Sequence, residues 1–384
     1  MSLTCKVPQL RFKEFSGEWE EKKLGELADI TTGNKDTQNK VDDGIYPFFV
    51  RSQTVEKINS YSYDGEAILT SGDGVGVGKN FHYIQSKFDF HQRVYCIYKF
   101  KNKVFGKFIF HYFSEKFHKR VMRLSAKNSV DSVRRDMITE MGIYTPTFNE
   151  QQKIASFLSA VDTKIDQLTR KKELLKQYKK GVMQKIFSQE IRFKAYDGSE
   201  FSEWDEKSIA NCITESKVKG DTGDKAKKLT VKLWNKGVFA KNEIMNGSEN
   251  TQYYIRKAGQ FIYSKLDFLN CAFGIIPEDL DGYQSTIDLP CFDFINSTNP
   301  IFFLSRVSRK DFYLQFGEQA DGSRKARRIN QNIFLEMPIL LPSADEQTKI
   351  ANFLSSLDEK LLHVSQQLDS TKQFKKALLQ QMFV

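Results

Sequence analysis

A repeat limits what this chain can fold into more than any other feature. Residues 146–187 match 342–383 without a gap, at a constant offset of 196 that carries Lys153 onto Lys349 and Phe187 onto Phe383. The better-matched ends read EQQKIASFLSAVDTK against EQTKIANFLSSLDEK, and QYKKGVMQKIF against QFKKALLQQMF. A second echo lies upstream. Arg11-Phe12-Lys13 recurs as Arg192-Phe193-Lys194, and Trp19-Glu20-Glu21-Lys22 as Trp204-Asp205-Glu206-Lys207, at offsets of 181 and 185. The intervening stretches, about 23–141 and 208–337, barely resemble each other. The order is therefore lead-in, divergent middle, matching tail, and then the same again. A shared scaffold with divergent middles implies two versions of one job.

Both tails read as single helices. Ile154, Val161, Leu168, Leu175 and Val182 recur every seven residues, with Leu158, Ile165 and Ile186 in the alternate seam position and Lys172 and Lys179 as polar interruptions. The second tail repeats the seam through Ile350, Leu357, Val364 and Leu378 with Leu354, Leu361, Leu368 and Met382. Such a stripe belongs to a coiled coil. Asn149 and Asp345 stand where N-caps are expected, just after proline-containing loops. A helix of about 39 residues spans ~58 Å, too long to rest on one small domain. The second helix buries its seam by running back along the first, so the expected architecture is α+β, with two domains separated by an antiparallel two-helix coiled coil and related by a pseudo-twofold repeat. Two amphipathic helices packed separately on their own domains are the plainer alternative.

The middles carry short β-rich runs: 46–50, 67–72 and 93–100 in the first, and 260–266, 271–276 and 300–304 in the second. A helix is expected from Lys107 to Leu124. SGDGVGVGKN (71–80) fails the phosphate-loop pattern, since Asp73 stands where glycine is required and Asn80 follows Lys79. It reads as a glycine-rich turn whose backbone is free to approach phosphate. Asn299-Pro300-Ile301-Phe302 is only a faint echo of the amino-methyltransferase loop and reads as the start of a strand.

Lys and Arg outnumber Asp and Glu 58 to 48, a net charge of +10 that favours a polyanionic partner. No apolar run reaches the ~18–20 residues of a membrane span, and Met1–Gln9 lacks a signal peptide's apolar core. Five scattered cysteines (Cys5, Cys96, Cys212, Cys271, Cys291) suit free thiols in a reducing cytoplasm. The five histidines show no metal spacing, and no catalytic set stands out, so neither a catalytic nor a metal residue is assigned. Basic residues alternating with amides do stand out, as nucleic-acid reading requires: Lys and Arg neutralise phosphates, while Arg, Asn and Gln pair with base edges. The DNA-binding candidates are Lys79, Asn80, Gln92, Arg93, Lys127, Asn128, Arg134 and Arg135 in the first middle. In the second they are Lys217, Lys219, Lys227, Lys228, Arg324, Lys325, Arg327 and Arg328. Solvated surface charge is the alternative for any one of them.

Two divergent middles, each followed by a helix that opens PxxxEQxKIAxFL and closes on a Gln- and Lys-rich turn ending in Phe, resemble the DNA specificity subunit of type I restriction–modification systems. The resemblance spans essentially the whole chain and is carried most specifically by Glu150–Leu158, Glu346–Leu354, Trp19 and Trp204. It implies target-recognition domains within 1–145 and 191–341, with the long helices in 146–190 and 342–384 as a ruler between two half-sites on double-stranded DNA. It also implies methyltransferase (modification) subunits using S-adenosylmethionine and restriction (motor–nuclease) subunits using ATP and magnesium, with no cofactor in this chain. Trp19, Trp204, Phe157 and Phe353 are then the expected partner-docking residues. A stand-alone nuclease or methyltransferase, or a structural coiled-coil adaptor, are the other readings.

Overall fold

Two helices dominate the computed structural model, which describes residues 6–101, 103–124, 132–242, 247–317 and 328–384. The first runs Phe148–Phe187 over 40 residues and the second Ala344–Met382 over 39. Asn149 and Asp345 are not N-caps: both lie inside the first turn. The Pro146-Thr147 and Pro342-Ser343 steps end the extended backbone earlier, and Ser343 Oγ accepts the Glu346 N–H at 3.3 Å.

The chain forms two compact units. One combines Met1–Lys172 with Val364–Val384, and the other is Glu173–His363, so each takes part of both long helices. In the first unit, β1 (Glu20–Lys23) pairs antiparallel with β8 (Gly142–Thr145). Everything between them is inserted. It holds β2 (Asp29–Thr32), β3 (Tyr46–Phe49), β4 (Val55–Ile58), β5 (Tyr63–Ser71), β6 (Phe81–Phe90) and β7 (Val94–Tyr98), which form one sheet in the order β2-β7-β5-β6-β3-β4. Only the β3–β6 pairing is parallel. Helix Gly106–Leu124 buries Phe108, Ile109, Tyr112, Phe113, Phe117 and Val121, a one-sided stripe at helical spacing. That stripe joins Trp19, Ile154, Leu158 and Val161, and also Leu378, Met382 and Phe383 from the far end of the sequence. Lys375 pairs with Asp162.

The second unit repeats the plan with a different insert. β9 (Asp205–Ser208) pairs antiparallel with β19 (Pro338–Leu341). Between them lie β10 (Ile213–Ser216), β11 (Lys219–Thr222), β12 (Leu229–Val231), β13 (Val238–Ala240), β14 (Gln252–Ile255), β15 (Phe261–Tyr263), β16 (Phe273–Ile275), β17 (Gln284–Ser285) and β18 (Cys291–Phe294). They form a four-stranded sheet β10-β18-β15-β16, a three-stranded sheet β11-β14-β17 and the hairpin β12-β13. Residues 300–304 are not a strand. Asn299 accepts hydrogen bonds from the N–H groups of Ile301 and Phe302, Pro300 occupies the first turn, and a helix runs to Val307. Asn followed by Pro is a helix-start signature that outweighs the short apolar run after it. Here Lys179 pairs with Asp358. The offset of 196 carries Asp162 onto Asp358 and Lys179 onto Lys375, so the two ion pairs exchange under the repeat.

His111 sits in the first core with its Nε2 unpartnered among the described residues. Burial, aided by Lys375 and Lys107, pushes the imidazole down to about 3. In an unfolded chain it titrates near 6.5, so the unfolded state binds the extra proton and stability falls as pH drops from about 6.5 to about 3. The loss is on the order of 5 kcal/mol across that window, and this group contributes no pH dependence above it. His111→Leu is expected to flatten the acid limb of unfolding, followed by hydrogen exchange of helix Gly106–Leu124. Parallel acid loss in the variant would show that another group is responsible.

Candidate nucleic-acid interface

The repeated residues of the lead-ins and helix starts form one buried clamp in each unit. Glu150, fully buried, receives Arg11 Nε at 2.7 Å and Nη2 at 2.8 Å, while Arg11 also donates to the carbonyls of Gly17 and Ser16. Glu346, equally buried, receives Arg192 Nε at 3.2 Å and Nη2 at 2.9 Å, and Arg192 donates to the carbonyls of Phe201 and Ser202. The adjacent glutamines hold the insert. Gln151 accepts from the Phe105 N–H and donates to the Pro146 carbonyl; Gln347 accepts from the Asn299 N–H and donates to the Pro342 carbonyl. A forked guanidinium on a buried carboxylate fixes both distance and angle.

This geometry turns two of the four residues expected to dock partners inward. Trp19 is 1% exposed against Phe108, and Trp204 is 8% exposed between Phe187 and Phe302. Both belong to the cores of their own units, because a tryptophan beside the clamp fills the space where insert and helix meet. Phe157 and Phe353 are half-buried against Phe12 and Phe193. The Trp204 Nε1–H donates to Glu346 at 3.1 Å, whereas Trp19 Nε1 has no partner among the described residues.

The divergent surface of the first unit gathers several of the predicted residues. Asp73, in the glycine-rich turn between β5 and β6, lies 3.1 Å from Arg51 Nη1 and 3.8 Å from Arg93 Nε. Asn80 reaches the Arg51 carbonyl at 3.3 Å, and Gln92 donates to Asp36 at 3.0 Å. Lys79 is exposed on the same turn. The Val133 N–H bonds the Gly72 carbonyl at 2.7 Å, which brings exposed Arg134 alongside, while Arg135 is drawn off to the Ile30 carbonyl at 2.6 Å. Burial lowers the pKa of His82 and His91 below the ordinary imidazole value; nearby Arg51 adds to the effect at His91. The positive charge of this face therefore comes from arginine and lysine. Arg51, Asp73 and Asp36 were not foreseen. They are isolated in sequence, and the sheet brings them together.

In the second unit Lys217 pairs with Glu215 at 2.8 Å and Arg328 with Asp288 at 3.5 Å. Lys265, missed in the sequence, sits among them: its N–H bonds the Asp288 carbonyl, and its own carbonyl accepts from Ile329 N–H. Arg256, 2% exposed, fixes the base of this patch by donating to Ser285 Oγ, the Ser216 carbonyl and the Leu289 carbonyl. Lys219 and Lys227 are exposed, but Lys228 is not available to phosphate. It is 7% exposed, with its ammonium 5.6 Å from the Tyr253 ring, because strand β12 begins at the next residue and carries it inward. Lys127, Asn128, Arg324, Lys325 and Arg327 lie outside the described residues. No group of three or more metal-ligating side chains occurs among the described residues, and no helix there is long and apolar enough to cross a membrane. Cys96, Cys212, Cys271 and Cys291 are buried free thiols.

Residues 16–177 match the family described as type I restriction modification DNA specificity domain. The chain is 24% identical over 374 residues to the type I restriction enzyme EcoDI specificity subunit of Escherichia coli, covering 88% of this chain and 81% of the relative. Its fold matches the crystal structure of a type I restriction-modification S subunit from M. genitalium with a TM-score of 0.67 at 16% identity, over 98% of this chain and 99% of that one. A chain from a structure describing complex assembly and conformational transition of a type I R-M system matches with a TM-score of 0.53 at 11% identity, over 94% and 96%.

Proposed function

We propose that this chain is a DNA specificity subunit of the type I restriction–modification kind and that it reads a two-part DNA target, one part with each insert. The observation that carries this reading is the pairing of one clamp, built twice, with two unlike cation-rich faces: Arg51, Lys79 and Arg93 in one unit, and Lys217, Lys265 and Arg328 in the other. A clamp repeated in both units suits a shared scaffold, and unlike faces suit unlike half-sites. The specificity subunit is non-catalytic. Methyltransferase subunits using S-adenosylmethionine, and restriction subunits using ATP and magnesium, supply the chemistry in this proposal, which places the assembly in the cytoplasm.

The long helices act in this proposal as an antiparallel coiled-coil spacer. Two readers on one side of a duplex need a separation near one helical turn, ~34 Å, and rigid paired helices supply such a distance. Its support is the pair of ion contacts that exchange under the repeat, Asp162 with Lys375 and Lys179 with Asp358, one in each unit. Lys179, a flaw in the apolar seam when read as sequence, is one of those partners.

The test is the salt dependence of DNA retention by the full chain with its partner subunits. Replacing Arg51 and Arg93 by alanine is expected to weaken binding and reduce the salt slope by roughly one unit per lost phosphate contact, about two in all. An unchanged slope removes this face from the interface. DNA cleavage or methylation by the chain alone would overturn the non-catalytic reading.

A further inference from the structure

The turn between β5 and β6 holds one residue that the cationic face does not explain. Val75 is 97% exposed, in a segment whose neighbours are anchored. On one side Asp73 is tied to Arg51 and Arg93. On the other, Gly76, Val77 and Gly78 are buried, with Val77 in the unit's core and Gly78 lying directly over His118 of helix Gly106–Leu124. The Val77 N–H bonds the Gly74 carbonyl at 3.1 Å, and the Lys79 N–H bonds the Gly76 carbonyl at 3.0 Å. Gly74 and Gly78 take φ of 78° and 64°, which side-chain-bearing residues rarely adopt. A β-carbon on Gly76 would lie 2.0 Å from Asn80 Nδ2, so the loop is seated closely on its own side chains.

A lone apolar side chain on a surface usually calls for no explanation. Here two glycine bends and a buried flank hold a short, branched, stiff side chain outward, on a turn whose Asp73 is tied to Arg51 and Arg93 and whose Lys79 is exposed. Groups that neutralise phosphate bring such a face against a duplex, and the one apolar feature a base edge offers in the major groove is the thymine methyl. An inserted wedge between base steps uses longer side chains such as Phe, Leu, Ile or Met. Valine is too short for that role and suits a methyl contact.

We propose that Val75 is a specificity-determining residue that packs on the 5-methyl group of one thymine in the half-site read by the first unit. The proposal rests on the DNA-reading function above and commits that function to one base feature.

The test uses the full chain, co-expressed with the methyltransferase subunits it is proposed to direct, and a random duplex library. Failure of the wild type to enrich any bipartite sequence would defeat the DNA-reading function itself. With a sequence in hand, each thymine of the enriched duplex is replaced in turn by deoxyuridine, which lacks only the methyl group. One position, in one half-site, is expected to cost the wild type about fourfold in affinity, the effect of withdrawing one methyl group from an apolar contact. Val75→Ala is expected to bind the thymine duplex about that much more weakly and to be indifferent to deoxyuridine there, with thermal unfolding unchanged. If no thymine shows a penalty that disappears in Val75→Ala, or if the variant weakens equally on both duplexes, Val75 does not read a methyl group.

Discussion

Replacing Glu150 with alanine is expected to destabilise the first unit by about 3–5 kcal/mol, the usual cost of stranding one partner of a buried ion pair. Glu150 is fully buried and Arg11 partly so, and the guanidinium also gathers the Gly17 and Ser16 carbonyls. Its loss frees the lead-in segment from the start of the first long helix. Hydrogen exchange on the full chain should show lost protection in residues 6–24 and the first turns of helix Phe148–Phe187, with the second unit unaffected. Replacing both Arg11 and Glu150 by methionine should recover most of the loss, since the penalty lies in the unpaired charge. Glu346→Ala should cost the second unit about 1 kcal/mol more, because Glu346 also accepts from Trp204 and Glu150 has no such donor. Unchanged protection in Glu150→Ala would mean that the clamp does not hold the fold.

Exchange of the first insert for that of a relative is expected to replace one half of the methylated sequence completely and leave the other half as it was. The structural warrant is the ladder of β1 with β8, which brings residues 20–23 against 142–145 and so fixes where the insert leaves and rejoins the scaffold. Residues 24–141 can be replaced without altering either ladder strand, Arg11 or Glu150. Methylome sequencing of cells expressing the hybrid with its partner subunits decides the matter. If both halves change, or neither, the inserts do not read independently.

The long helices were legible because a seven-residue apolar period is hard to produce any other way, and every strand expected in the first insert is present. Residues 300–304 were misread for a physical reason: five apolar residues suit a buried strand or a buried helical turn equally. The deciding signal is Asn299 before Pro300, which caps and opens a helix. The clamp illustrates a different limit. Arg11, Trp19 and Glu150 were visible as repeated residues, but repetition reports shared surroundings without telling whether those surroundings are the protein's own core or a partner's surface. Burial resolves that, and it turns Trp19 and Trp204 inward. Lys228 shows the same limit for charge, since a run of lysines reads as solvated until strand register carries one of them inside. Arg51 and Asp73 were beyond sequence reasoning, because their 22-residue separation closes only when the sheet forms.

The make-up of the two cores bears on the order in which a ribosome can deliver them. The second unit is one uninterrupted stretch, 173–363, and has all its parts once that stretch has emerged. The first lacks Leu378, Met382 and Phe383 until residues 364–384 are made, although most of it is synthesised earliest. The first unit is therefore the later of the two to have all its parts, waiting through translation of the whole second unit with Phe108 and Tyr112 uncovered by Phe383. A stop codon just after His363 would strip the first unit of its last helical segment and leave the second whole.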